Sequence, residues 1–173
     1  MTTESTEQAR EVTHLLGREC DEEFHGRRVD LVEIGWGDAR KHRQMLTTAS
    51  GSTVRLRLPR GSFLDDGAVL ADDGETITVV RRAAEPAIVV DFDANGGPDG
   101  ARRMLLLGYL LGNQHAPLDV SADQVSTPLM TSATTAKDTL AALRLQGVVA
   151  DVPLASHGWS NTSADHHHQH HHD

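Results

Sequence analysis

Aromatic residues are scarce, at 3% of 173 residues. Any core must therefore be built from Val, Leu, Ile and Ala. Cysteine is nearly absent: Cys20 is alone, which excludes an intrachain disulfide framework and a thiolate-rich zinc site and points to a reducing cytoplasm. Cations are in the minority, 16 Lys and Arg against 25 Asp and Glu, for a formal net charge of −9. That balance argues against nucleic acid as a partner, because phosphates attract Lys and Arg surfaces. It suits a protein that handles cations. Long apolar runs are missing as well. The longest, Met104 to Leu111, is broken by Gly108 and is far too short to span a membrane, so it predicts a buried helix. Met1 to Gly17 is polar and mixed in charge, with no apolar signal core. There is no Gly-rich phosphate loop, no H-E-x-x-H and no nucleophile elbow, and Ser, His and Asp without geometry do not make a triad. The chain reads as a cytoplasmic, non-enzymatic protein without a membrane anchor.

What is present falls into segments. Residues 1–28 are charged and weakly patterned, and are expected to be largely loose. Residues 29–85 carry a β signal. Val54, Leu56 and Leu58 alternate with Arg55 and Arg57, one face buried and one wet. Thr76 to Val80 is a continuous β-rich run. Gly51-Ser52, Asp66-Gly67 and Asp73-Gly74 supply turns. Short strands between such turns predict a small β-barrel or two-sheet domain. In residues 86–154 the pattern changes, with the boundary near Glu85-Pro86. It predicts a strand over Ile88–Phe92, a helix over Asp99–Leu111 closed by Gly112-Asn113, and strands over Ala116–Val120 and Gln124–Met130. A second helix follows from about Ser132 to Gln146, stopped by Gly147, and then a strand over Val148–Leu154. This β-α-β-β-α-β order is the ferredoxin-like arrangement. The expected class is therefore α+β: a β domain, a ferredoxin-like domain, and a disordered His-rich tail over residues 155–173.

The tail holds the plainest chemistry. Six of eleven histidines lie in the last eight residues, as His166, His167, His168, His170, His171 and His172. Neutral imidazole is a common ligand for divalent transition metals, and no packed core uses six in a row. An unbroken run on a linker would mark a purification handle; here Gln169 interrupts the run and Asp165 and Asp173 flank it. Intrinsic affinity should follow the order in which copper exceeds nickel and zinc, and imidazole ligates only when unprotonated. His115 is the next candidate, placed after a helix end and before Pro117. A surface or capping histidine is the commoner reading of such a residue. One His per chain cannot complete a coordination sphere, but two chains meeting on a two-fold axis would bring a pair. Cys20, His14, His25 and His42 show no metal-site spacing; His157 stands out only because it leads into the tail. Asp65-Asp66 and Asp72-Asp73 read as turn residues. Arg55 and Arg57 read as the wet face of a strand, with partner docking as the sharper alternative. Arg102-Arg103 read as solvated.

In this order the pieces resemble the UreE family of urease accessory proteins, nickel metallochaperones. The residues that carry the likeness are Leu58-Pro59-Arg60-Gly61 followed by Leu64-x-x-Gly67-x-x-Leu70, then Leu111-Gly112-Asn113-Gln114-His115-x-Pro117-Leu118, then the histidine cluster. The resemblance covers residues 40–154 and the type of tail. It implies a homodimer that binds Ni(II) and delivers it to apo-urease through an accessory GTPase complex; by ligand type alone, Zn(II) or Cu(II) would fit the same imidazole sites. It implies that the β domain is a peptide-binding-like docking module. It places the family's metal histidine on His115, paired with its symmetry mate. Some family members carry further histidines near the second helix, whereas residues 124–146 here have none. The tail histidines with His157 would take that part. Two other readings remain at this level: a general nickel, zinc or copper buffer, and a metal-dependent hydrolase built on His115, which lacks an obvious general base.

Overall fold

The computed structural model describes residues 9–157. Two compact units divide between Ala83 and Ala84, with Ser156 grouped with the first. The class is α+β with sheet predominating: three sheets and two α-helices among the described residues.

The first unit runs β1 (Arg10–Val12), β2 (Gly17–Arg18), β3 (Arg28–Ile34), β4 (Arg43–Thr47), β5 (Thr53–Arg57), β6 (Ala68–Asp72) and β7 (Thr76–Arg82). They form two sheets, β1-β5-β4 and β2-β6-β7-β3, and no closed barrel among the described residues. The alternation around Val54 and Leu56 sends these side chains into a core shared by both sheets, with Val12, Val32, Ile34, Leu64, Leu70 and Val80. Ile77 and Val79 point the other way, onto Val69 and Phe24. β7 is thus covered on both faces, which explains a continuous apolar run where a half-buried strand would alternate.

Residues 9–28 differ from the expectation of loose chain. β1 pairs in parallel with β5, so that Val12 opposes Leu56, and β2 pairs with β6. Val12 and Phe24 are both buried. Strands of three and two residues are too short to show a period of two.

The second unit runs β8 (Glu85–Asp91), α1 (Gly97–Asn113), β9 (Asp119–Val120), β10 (Gln124–Pro128), α2 (Ala133–Ala142) and β11 (Gly147–Val152). Its sheet has the order β11-β8-β10-β9 with every neighbouring pair antiparallel. Leu107 and Leu111 of α1 and Ala136 and Leu140 of α2 pack with Ile88, Val90 and Val125, so both helices lie on one face of the sheet. Ser132 caps α2, its hydroxyl accepting the Thr135 N–H at 3.1 Å.

The helix ends differ from expectation. α2 stops at Ala142, because Arg144 takes a left-handed conformation (φ 53°) and the Leu145 N–H reaches back to the Leu140 carbonyl at 2.9 Å, a Schellman turn. Gly147 serves another purpose. A Cβ there would meet Val90 Cγ2 at 2.9 Å and the Val89 carbonyl at 3.0 Å, so glycine lets β11 lie against β8.

One buried side chain ties the two halves of this unit together. Asn95 donates through Nδ2 to the carbonyls of Asp91 and Gln146, both at 2.8 Å, and accepts from the Gln146 N–H at 2.8 Å. Its own carbonyl faces the first turn of α1 so closely that a Cβ on Gly100 would lie 1.5 Å from it. Gly100→Ala is therefore expected to destabilise the second unit by about 3 kcal/mol, the upper range for forcing atoms into a packed site. Urea denaturation followed by circular dichroism checks this, and a midpoint equal to wild type would show that α1 can shift freely.

Candidate metal site

The leucines and glycines of the L-P-R-G and L-x-x-G-x-x-L segments build the fold. Leu58, Leu64 and Leu70 are core residues. Gly61 (φ 85°) and Gly67 (φ 78°) occupy left-handed turn positions that favour glycine. The acidic pairs likewise serve turns and pairs. Asp73 accepts the Thr76 and Glu75 N–H groups at 2.7 and 2.9 Å, and these two bonds lower its pKa. Asp65 pairs with Arg18 at 2.9 Å, and Asp66 accepts the Arg82 N–H at 2.8 Å.

The L-G-N-Q-H-A-P segment is different. α1 does not stop at Gly112-Asn113, which lie inside it. The stop is His115, in the left-handed region at φ 53°. The Ala116 N–H bonds to the Leu111 carbonyl and the His115 N–H to the Gly112 carbonyl, both at 3.0 Å. This pair of bonds is again the Schellman turn, normally closed by glycine. Ala116 and Leu111 then meet in the core, supplying the apolar contact that accompanies the motif. Beyond it, the Pro117 carbonyl accepts the buried Thr127 hydroxyl at 2.8 Å, which anchors the exit to β10. The backbone of His115 is held on both sides, while its side chain is exposed. Left-handed backbone costs a residue with a Cβ about 1 kcal/mol, and His is among the types that tolerate it best. A glycine would end the helix at lower cost, so the imidazole is not there for the turn.

The helix leading to His115 has an apolar side that none of the other described residues of its unit covers. The expectation of a wholly buried helix holds for Leu107 and Leu111 but not for their neighbours. Leu105 is 75% exposed, Tyr109 66% and Leu106 52%. The signal was in the sequence: a helix apolar nearly all round is covered on more than one side. Gly108 and Gly112 flank this side, and a Cβ on either would meet no atom within 4 Å.

Of the other candidates, His157 is exposed in a turn following β11. His166, His167, His168, His170, His171 and His172 lie outside the described residues. Among the described residues no three His, Cys, Asp or Glu side chains cluster as a metal site. No helix among them is long and apolar enough to cross a membrane. Arg103, expected to be solvated, donates to the carbonyls of Asp99 and Arg144 at 3.0 and 2.9 Å.

Known proteins supply the remaining comparison. Residues 12–83 match the family model described as the UreE urease accessory protein, N-terminal domain. The chain is 39% identical over 98 residues to a urease accessory protein UreE of Paraburkholderia xenovorans (strain LB400), covering 56% of this chain and 40% of that protein. It is 30% identical over 132 residues to one of Cupriavidus pinatubonensis (strain JMP 134 / LMG 1197), covering 74% and 54%. It is 24% identical over 144 residues to one of Albidiferax ferrireducens (strain ATCC BAA-621 / DSM 15236 / T118), covering 83% and 80%. The matched stretch spans 40% of the Paraburkholderia protein and 54% of the Cupriavidus one, about half the length of these relatives.

The turn geometry predicts that His115→Gly leaves folding stability within about 1 kcal/mol of wild type, because relief of left-handed strain offsets the entropy that glycine adds to the unfolded chain. Equilibrium denaturation measures this. A loss above about 2 kcal/mol, beyond the usual cost of a glycine, would give the imidazole a structural job.

Proposed function

The chain belongs to the UreE family of urease accessory proteins, and from that membership we propose that it serves urease maturation as a cytoplasmic nickel carrier without catalytic activity of its own. The supporting observation is His115: an exposed imidazole on a fixed backbone, at the end of a helix whose apolar side is uncovered.

An uncovered side bearing Leu105, Leu106 and Tyr109 is costly in water and is best buried against a second copy of itself. Gly108 and Gly112, with open space where a Cβ would sit, would allow close approach of two backbones. A two-fold axis near the end of α1 would then pair His115 with the partner's His115. Two imidazoles form the start of a coordination sphere, and nitrogen ligands suit nickel, zinc and copper. His166, His167, His168, His170, His171 and His172, with His157, would add ligands and capacity. In this reading the second unit is a ferredoxin-like metal-binding domain and the first a docking module. The client is apo-urease, reached through its accessory GTPase complex. Nickel here is cargo, so a site short of a full ligand set favours handover over retention.

Equilibrium nickel binding tests the reading on three proteins: the full chain, a truncation after Ala164, and His115→Ala. The truncation should lower the number of ions bound yet leave one per dimer, and His115→Ala should remove the tightest site. If truncation alone abolished binding, the interfacial pair would be wrong. Because protonated imidazole does not ligate, affinity should weaken as pH falls from about 8 to about 5.5. Isothermal titration across that range checks the sign, and a flat profile would contradict imidazole ligation.

A further inference from the structure

We propose that the outer face of the β1-β5-β4 sheet is a docking surface for an acidic protein surface. The proposal rests on the maturation role above for the identity of its partner, but not on nickel binding.

The register places the charges. On β5, Val54 and Leu56 are buried, so Arg55 and Arg57 point outward. On β4, Arg43 and Met45 are exposed. Arg43 lies directly opposite Arg57, and Met45 directly opposite Arg55. On β1, Glu11 is opposite Arg55 but its carboxylate pairs with Arg57 at 3.2 Å. Neither Arg43 nor Arg55 has an ion-pair partner among the described residues. The face therefore carries three arginines and one acid, around a methionine 60% exposed.

Two facts set this face apart from an ordinary wet sheet. Like charges directly opposite on neighbouring strands are destabilising, and Arg43 and Arg57 occupy that arrangement. The chain as a whole is strongly acidic, with a net charge of −9, so a local excess of cations runs against its composition. Guanidinium forks fit carboxylates in a bidentate manner, and arginine and methionine are enriched in the cores of protein interfaces. A duplex nucleic acid fits poorly, because the whole chain would repel an extended polyanion, whereas an acidic patch on a protein engages the face locally. The occupant with the matching chemistry is a carboxylate-rich surface of a protein in the urease maturation assembly.

The test uses the full chain and the variant Arg43→Gln/Arg55→Gln, which leaves the Glu11–Arg57 pair in place. Binding to apo-urease assembled with its accessory GTPase complex is measured by biolayer interferometry at low and moderate salt. Wild type should bind, and its affinity should fall by at least about tenfold from about 0.05 M to about 0.3 M salt, as for complementary charges that are screened. The variant should bind at least about tenfold more weakly than wild type at low salt. It should take up nickel as wild type does and melt at the same temperature or higher, since the cross-strand repulsion is relieved. Equal binding by variant and wild type would overturn the proposal. So would arginine-dependent binding to a short DNA duplex that is tighter than binding to the assembly. Wild type that takes up nickel but does not bind the assembly would overturn both this proposal and the delivery role. Docking without nickel uptake would support the surface and overturn only the carrier reading.

Discussion

The hydrogen bond from the Ala116 N–H to the Leu111 carbonyl, 3.0 Å long, decides where α1 ends and where the chain runs next. It closes α1 and turns the backbone through a left-handed residue. It also returns the chain to the core at Ala116 and sends it on to β10. The residue caught in the left-handed position is His115. The imidazole is therefore placed by backbone bonding and not by contacts of its own ring. A side chain so placed is free to meet a ligand while its Cα cannot move far. α2 ends by the same device, with Arg144 in the corresponding position, so the geometry is a general property of this unit and the histidine is what distinguishes one end.

Both units keep surfaces that their own packing does not explain. α1 shows Leu105, Leu106 and Tyr109 to solvent beside two glycines. The β1-β5-β4 sheet sets Arg43 against Arg57. In a protein selected only for stability these would be polar and of alternating charge. In the proposed carrier role, meeting a second copy, a donor or a client would offset these exposed costs. The Asn95 network shows the opposite design. There every polar atom named is satisfied internally and no room is left, even for a methyl group on Gly100.

How much was legible varied with element length. β5, β7 and both helices were visible because their apolar spacing runs long enough to show a period. β1 and β2 were not, since a strand of two or three residues carries no period and owes its existence to partners far along the chain, Val54 to Leu56 and Ala68 to Val69. Glycine misled at two helix ends. Gly112 sits within α1 and Gly147 at the start of β11, while His115 and Arg144 make the turns. Glycine marks positive φ, but it also marks open space and close approach, and only neighbours distinguish these.

The sequence by itself determined the β-then-α+β order, the scarcity of aromatic core, the acidic balance, and the motifs that single out His115 and the terminal histidines. These follow from local spacing and composition, which need no partner to be read. Only the tertiary structure decided that His115 occupies a left-handed turn, that one side of α1 is uncovered, and that Arg43 faces Arg57. The physical reason is the same for all three. Each depends on which residue lies opposite another across a turn, a helix face or a strand pair, and such opposition is set by hydrogen-bond register and burial between elements, not by position along the chain.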